Sequence, residues 1–281
     1  QTCALPISTG FETATQDANG VTATVTTQGG SERIKAAWLV GADGGRSQVR
    51  KAMDVDFPGY TWPDRFLVAG SRYDLKPHGF TPNAYIADPE CFSAIFQMPY
   101  DRPPGLWRVL FSVNADISEA ELLSEDNVER LMQGLVARPV RYDILHKGIY
   151  KVHQRVAATF RAGRMLLAGD AAHVNNPLGA MGLNGGIHDA CNLYPKLAAV
   201  FHGEADASLL DRYVRQRHAV QIEFVQELST RNKKLLEERD PKVRAESLDQ
   251  VRRTAADPKQ AREYLIKSSM IASIRRAEAI E

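Results

Sequence analysis

The chain has 281 residues, 44% hydrophobic and 25% charged, enough for one large folded domain or two modest ones. Its formal net charge of +1, from 35 Lys and Arg against 34 Asp and Glu, gives no electrostatic footprint for a nucleic acid. The three cysteines, Cys3, Cys91 and Cys191, lack metal or redox spacing and suit a reduced cytoplasmic interior, and no apolar run approaches the roughly 18 to 20 residues of a membrane span.

The opening "QTCALPI" reads as the in-frame translation of an oligonucleotide resembling a common sequencing adapter. Residues 1–7 are therefore expected to be an artefact, with the chain entering its fold mid-protein at Ser8. Beyond it, Asn19-Gly20 between two alternating runs predicts a hairpin over 11–26, and residues 34–40 predict a third strand that becomes buried. Residues 64–116 are short strand-like pieces broken by Pro77, Pro82, Pro89, Pro99, Pro103 and Pro104, the pattern of an antiparallel sheet. A helix is predicted over 118–137, with Ser118 as N-cap and Glu121 completing a capping box. A strand follows in "HKGIYKVHQRVAATF", then a short buried strand at 165–168. Residues 207–236 read as helical, with Leu210, Tyr213, Val214, Val220, Phe224 and Leu228 facing inward, and the charged residues 231–281 as helix-prone.

Two motifs carry chemistry. In "LVGADGGRSQVR" a buried strand delivers Asp43, Gly44 and Gly45 into a turn, followed by Arg46, Ser47 and Arg50; by itself this is equally an ordinary turn. In "GDAAHVNNPLGAMGLNGG" the strand ends at Gly169 and Asp170, a carboxylate able to accept hydrogen bonds from a polyol. Pro177 stiffens the loop, and Gly179, Gly182, Gly185 and Gly186 let backbone approach a flat ligand. The helix expected to start near Gly182 points its amides and positive dipole end at that ligand, which suits an anion. The glycine spacing is not that of the dinucleotide fingerprint. A ligand with a hydroxylated chain and a planar head that gains negative charge, such as reduced flavin, fits better.

Together, "DGGRSQVR" and "RMLLAGDAAHVNNPLGAMGLNGGIHDACNL" resemble the class A flavoprotein monooxygenases, the aromatic hydroxylases typified by 4-hydroxybenzoate hydroxylase and the polyprenyl-methoxyphenol hydroxylase group. The resemblance covers roughly residues 11–230. It implies an α/β fold: a Rossmann-like FAD-binding domain lacking its first βαβ unit (8–62 and 159–230), an inserted antiparallel-sheet substrate domain (63–158) and a C-terminal helical region (231–281). It further implies that Asp170 bonds the ribityl hydroxyls of FAD and that Pro177 lies by the isoalloxazine. Gly182, Leu183 and Asn184 would meet its pyrimidine edge, with Gly169 and Gly179 shaping the loop, while Asp43, Gly44 and Arg46 would serve FAD and NAD(P)H.

The reaction so implied is hydroxylation of an aromatic, phenolic small molecule by NADH or NADPH and O2 through a flavin C4a-hydroperoxide, with no catalytic acid or base assigned. The sequence departs from the family in lacking G-x-G-x-x-G, and in carrying Ala180 and Met181 where a second Gly and a Gln or Lys are common. The polypeptide 8–281 by itself is accordingly expected to bind no flavin, judged by loss of stoichiometric FAD on gel filtration, and to turn nothing over, its first βαβ unit and pyrophosphate site being absent. Another flavoenzyme on the same scaffold, a reductase or halogenase, and a fragment inactive as given remain alternatives. His173, His153 and His188 read as structural, and no Cys or His spacing argues for a metal. Tyr85, Phe92, Phe96, Trp107 and Phe111 read as core residues or, on one sheet face, as an aromatic pocket.

Overall fold

A computed structural model describes residues 8–281; the expectation for residues 1–7 lies outside the described residues. The chain divides into two units.

Residues 8–60, 154–229 and 262–281 form the first unit. Its hairpin pairs Gly10–Gln16 with Val21–Thr27. The turn is closed by Asp17, whose carboxylate accepts the amides of Asn19 at 2.7 Å and Gly20 at 3.1 Å. Alternation buries Val21, Ala23 and Val25. The strand expected over 34–40 is corrected to two. Gly30–Ala36 pairs with the hairpin and is exposed along its whole length, Ile34 included. The chain then turns, and Leu39–Gly41 runs parallel to Met165–Leu167 in a different sheet, with Val40 still exposed. One straight strand cannot pair in both sheets.

The core of this unit gathers Val49, Met53, Phe160, Met165, Leu166, Leu167, Leu193, Leu210 and Tyr213. The buried Tyr213 hydroxyl donates to the carbonyl of Leu167 at 2.6 Å, which fixes helix Leu209–Val220 against the strand. The helical stretch predicted over 207–236 is interrupted by a wider π-type turn at Gln221–Gln226 before resuming at Glu227–Glu237. Of its predicted inner face, Leu210, Tyr213, Val220 and Leu228 are buried, whereas Val214 and Phe224 are only partly so.

Residues 61–153 and 230–261 form the second unit. Asn83–Ile86, Ser93–Met98, Leu106–Val113 and Gly59–Ser71 pair antiparallel in that order, as the proline-punctuated pattern predicts. Leu67, Ala69, Ile95, Trp107, Val109 and Phe111 project from one face onto Leu122, Val128 and Met132. The helix predicted over 118–137 is two helices, Glu119–Leu122 and Glu125–Leu135. Ser118 caps the first as expected, accepting the Glu121 amide at 3.2 Å. Ser124 ends it by donating to the Glu121 carbonyl at 2.7 Å and starts the second by accepting the Asn127 amide at 3.3 Å. Residues 231–281 divide between the units, with helix Pro241–Ala256 in the second and Ile271–Glu278 in the first.

Candidate functional site

Parallel pairing of Leu39–Gly41 with Met165–Leu167 brings the two motif turns to the carboxyl ends of neighbouring strands, where open α/β sheets bind ligands. Arg50 ties the turns together. Its guanidinium donates to the carbonyl of Gly45 at 2.9 Å and to that of Ala171 at 2.7 Å, and stacks 3.7 Å over the Phe57 ring. Burial pulls the Arg50 pKa down while Asp43 opposes the shift.

In the first turn Gly44 has φ +81°, the left-handed region that favours glycine. Asp43 is exposed, yet its carboxylate is engaged: it accepts the Ser47 hydroxyl and the amides of Gln48 at 2.7 Å and Val49 at 3.1 Å. It thereby anchors the five-residue helix Gln48–Ala52. Arg46 is exposed and makes no side-chain hydrogen bond or ion pair among the described residues.

In the second turn, Gly169–Ala171 forms one 3-10 turn after the buried strand. The Gly169 amide donates to Asp189 at 2.9 Å. A Cβ on Gly186 would lie 3.2 Å from the Gly169 Cα, so helix and turn meet backbone to backbone. Asp170, at the exposed tip, makes no side-chain hydrogen bond or ion pair among the described residues. The loop behind is held by buried Asn176, whose backbone and side-chain nitrogens each donate to Gln154 Oε1 at 3.1 Å and whose Oδ1 accepts the Leu178 amide at 3.1 Å. Part-buried Pro177 accepts the Ala180 amide at 3.0 Å, and Gly179 has φ +108°.

Helix Met181–Phe201 starts from Ala180, which sits at φ 54° and supplies no side-chain cap. Among the described residues, the amides of its first turn are thus left without the side-chain acceptor that usually covers them. Gly182 adds no side chain there, Leu183 is 78% exposed, and Asn184 turns back to donate to the Ala180 carbonyl at 2.8 Å. Met181 is buried with Val225, Leu228 and Met270 and does not face this mouth. An exposed carboxylate, two fixed turns and an uncapped, glycine-lined helix start can together receive a polyol chain ending in a flat, electron-accepting head.

Beneath it lies a polar cluster. Asp189 is fully buried; besides Gly169 it accepts His173 Nε2 at 2.7 Å and Arg217 Nε at 2.6 Å, and Arg217 also donates to the Gly185 carbonyl at 3.2 Å. Sequence reasoning missed Arg217, Asn176 and Gln154. Arg217 had a signal: it lies four residues after Tyr213 and three before Val220, a charge inside the apolar stripe of a helix. In the second unit, Phe92, Trp107 and Phe111 are buried, whereas Phe96 is part-buried and Tyr85 exposed.

A family model described as FAD binding domain matches residues 2–228. The chain is 36% identical over 257 residues to para-nitrophenol 4-monooxygenase of Pseudomonas sp. (strain WBC-3), covering 91% of this chain and 63% of that protein. It is 36% identical over 246 residues to 3-(3-hydroxy-phenyl)propionate/3-hydroxycinnamic acid hydroxylase of Mycolicibacterium smegmatis, covering 85% of this chain and 42% of that one. The crystal structure of p-nitrophenol 4-monooxygenase PnpA from Pseudomonas putida DLL-E4 superposes with a TM-score of 0.87 at 34% identity, over 96% of this chain and 66% of that one. The chain thus spans between about two-fifths and two-thirds of the lengths of these relatives.

Proposed function

Since the chain belongs to the class A FAD-dependent aromatic hydroxylase family through its FAD-binding domain, we propose that it serves a monooxygenase acting on a phenolic ring, with NADH or NADPH as reductant and dioxygen as oxygen donor. The observation that carries this reading is the exposed Asp170 carboxylate, without a side-chain partner among the described residues, beside a helix start that no side chain caps.

The residues present fit a flavin. Asp170 would accept hydrogen bonds from the ribityl hydroxyls, and Pro177 would flank the ring system. Gly169 and Gly179, both at positive φ, let the loop fold close to it. The backbone of Gly182, Leu183 and Asn184 would hold the pyrimidine edge, where a helix terminus would stabilise negative charge. Asp43 acts by holding its turn while Gly44 and Arg46 remain open to FAD and NAD(P)H. FAD, when bound, supplies the redox chemistry and the activation of dioxygen. The protein orients the aromatic ring and keeps water out. Cys91 and Cys191 are free thiols, which suits a reducing, cytoplasmic compartment.

The test supplies FAD, NADH or NADPH and isotopically labelled dioxygen with 4-nitrophenol or 3-(3-hydroxyphenyl)propionate, and analyses the product. Label in a new ring hydroxyl supports the reading. Reductant consumption without label in the organic product assigns a reductase instead, and a ring halogenated from added halide a halogenase.

A further inference from the structure

The π-type turn Gln221–Gln226 packs on helix Met181–Phe201 and begins with a residue that the candidate site does not use. Gln221 is fully buried, yet neither its amide nitrogen nor its carbonyl oxygen has a hydrogen-bond partner among the described residues. Neighbouring amides in this unit are satisfied. Buried Gln216 donates to the Ile280 carbonyl at 2.7 Å and accepts Asn192 at 3.0 Å, and part-buried Gln226, at the far end of the π-type turn, donates to the Val174 carbonyl at 3.2 Å. A further unpartnered atom is Nδ1 of buried His173, whose other ring nitrogen is taken by Asp189. Gly185 marks where the two side chains meet. A Cβ there would stand 3.2 Å from Gln221 Nε2, 3.8 Å from its Oε1 and 3.3 Å from His173 Cε1, the ring carbon bonded to Nδ1.

A buried polar atom left unpaired has lost the hydrogen bonds it made with water, and a bound molecule that restores them is stabilising. The chemistry of these atoms selects that molecule. Gln221 offers both a donor and an acceptor, and His173 Nδ1 accepts when its ring is neutral and donates when it is charged. A cation is disfavoured because the amide presents N–H groups beside its carbonyl, and an anion because the carbonyl oxygen stands beside those N–H groups. Water both donates and accepts, so it suits Gln221 and His173 in either ring state. Asp189 Oδ2 holds both His173 Nε2, at 2.7 Å, and the Gly169 amide, at 2.9 Å. Whatever fixes the imidazole therefore also fixes the oxygen that steadies the turn carrying Asp170.

We propose that Gln221 and His173 bind one internal water beneath Gly185, and that through it Gln221 is a positioning residue for the turn that presents Asp170. Its bearing on flavin rests on the hydroxylase reading; the water site does not, and all the measurements are made without flavin. The test compares the full chain with Q221M, which keeps the length of the side chain and removes both polar atoms. Magnetic relaxation dispersion of the solvent water is expected to count one fewer long-lived internal water in Q221M. The His173 Nδ1 resonance should shift, amide exchange at Gly169 should quicken severalfold, and the unfolding equilibrium constant should rise about tenfold. An amide buried without a bound molecule behaves in the opposite sense, its replacement by methionine making the protein more stable. Equal water counts in wild type and folded Q221M overturn the proposal even if the His173 resonance shifts, since a direct amide–imidazole bond then accounts for it. A Q221M protein more stable than the wild type overturns it as well, and unchanged exchange at Gly169 overturns the positioning role. Should Q221M not fold, the wild type alone decides: magnetisation transfer from a long-lived water to the Gln221 side-chain amide protons is expected, and its absence overturns the site.

Discussion

The carboxylate of Asp189 accepts the backbone N–H of Gly169 at 2.9 Å, tying the middle of a helix to the turn that presents Asp170. Burial works to raise the Asp189 pKa, but the hydrogen bond and charge of His173 and the charge of Arg217 outweigh it and hold the group below the usual carboxylate value. A carboxylate with a lowered native pKa contributes stability above its unfolded pKa of about 4 and loses it as the pH falls through the native value. Asp189→Asn is expected to cost about 3–5 kcal/mol at neutral pH, because it leaves the Arg217 guanidinium buried without its counter-charge. Urea midpoints should also fall less steeply below about pH 4 in the variant than in the wild type. Equal acid slopes would remove Asp189 as the titrating anchor.

Asp43 holds three donors at the start of a five-residue helix that cannot persist unaided. Asp43→Ala should destabilise the protein by about 1–2 kcal/mol, with Asp43→Asn intermediate, by chemical denaturation. Faster amide exchange at Gln48 and Val49 should accompany the loss, and unchanged exchange there would contradict the anchoring role.

Ala180 starts helix Met181–Phe201 at φ 54° and ψ 33°, where an L-residue with a Cβ is strained. Ala180→Gly is expected to stabilise the chain by about 1 kcal/mol, read as a higher urea midpoint, and Ala180→Val to destabilise it by more than that. A stabilising valine would show that this backbone conformation is not maintained.

In the second unit Lys233 is buried, donates to Asp64 at 3.0 Å, bonds Glu237, and lies 4.4 Å from the Trp62 ring centroid and 5.4 Å from that of Phe92. Both carboxylates keep some water, so Lys233→Met should cost about 1–3 kcal/mol rather than the full penalty of an isolated buried charge. A double-mutant cycle with Asp64→Asn should show coupling of at least about 0.5 kcal/mol, and strict additivity would argue against the pair.

Local signals were legible where one residue type has one strong preference. Asn19-Gly20 gave a turn, Ser118 a cap, and the Gly169–Gly186 stretch a strand, loop and helix start. Features set by distant partners were not. Nothing local shows that Ala36 ends one sheet's strand and Leu39 begins another's, because each strand is defined by what it pairs with. Ser124 reads equally as a helix interior or a cap until its hydroxyl finds the Glu121 carbonyl. The aromatic candidates illustrate the same limit: alternation separates Phe96 from Trp107, but only register opposite Arg108 and Gln97 shows which one points away from the core. Asn176 and Gln154, polar residues in a loop and a strand, become structural only when their amides meet in the interior.

In the proposed function, the Asp170 carboxylate and the uncapped amides after Ala180 hold the flavin. Equilibrium titration of FAD, read by quenching of flavin fluorescence and so able to register binding too weak to survive gel filtration, tests it most directly in the wild-type chain and Asp170→Ala. Saturable quenching is expected of the wild type, with affinity lower by about tenfold or more in the variant, the loss of a charge-assisted hydrogen bond. Indistinguishable affinities in the two proteins, or no saturable binding by the wild type, would contradict it.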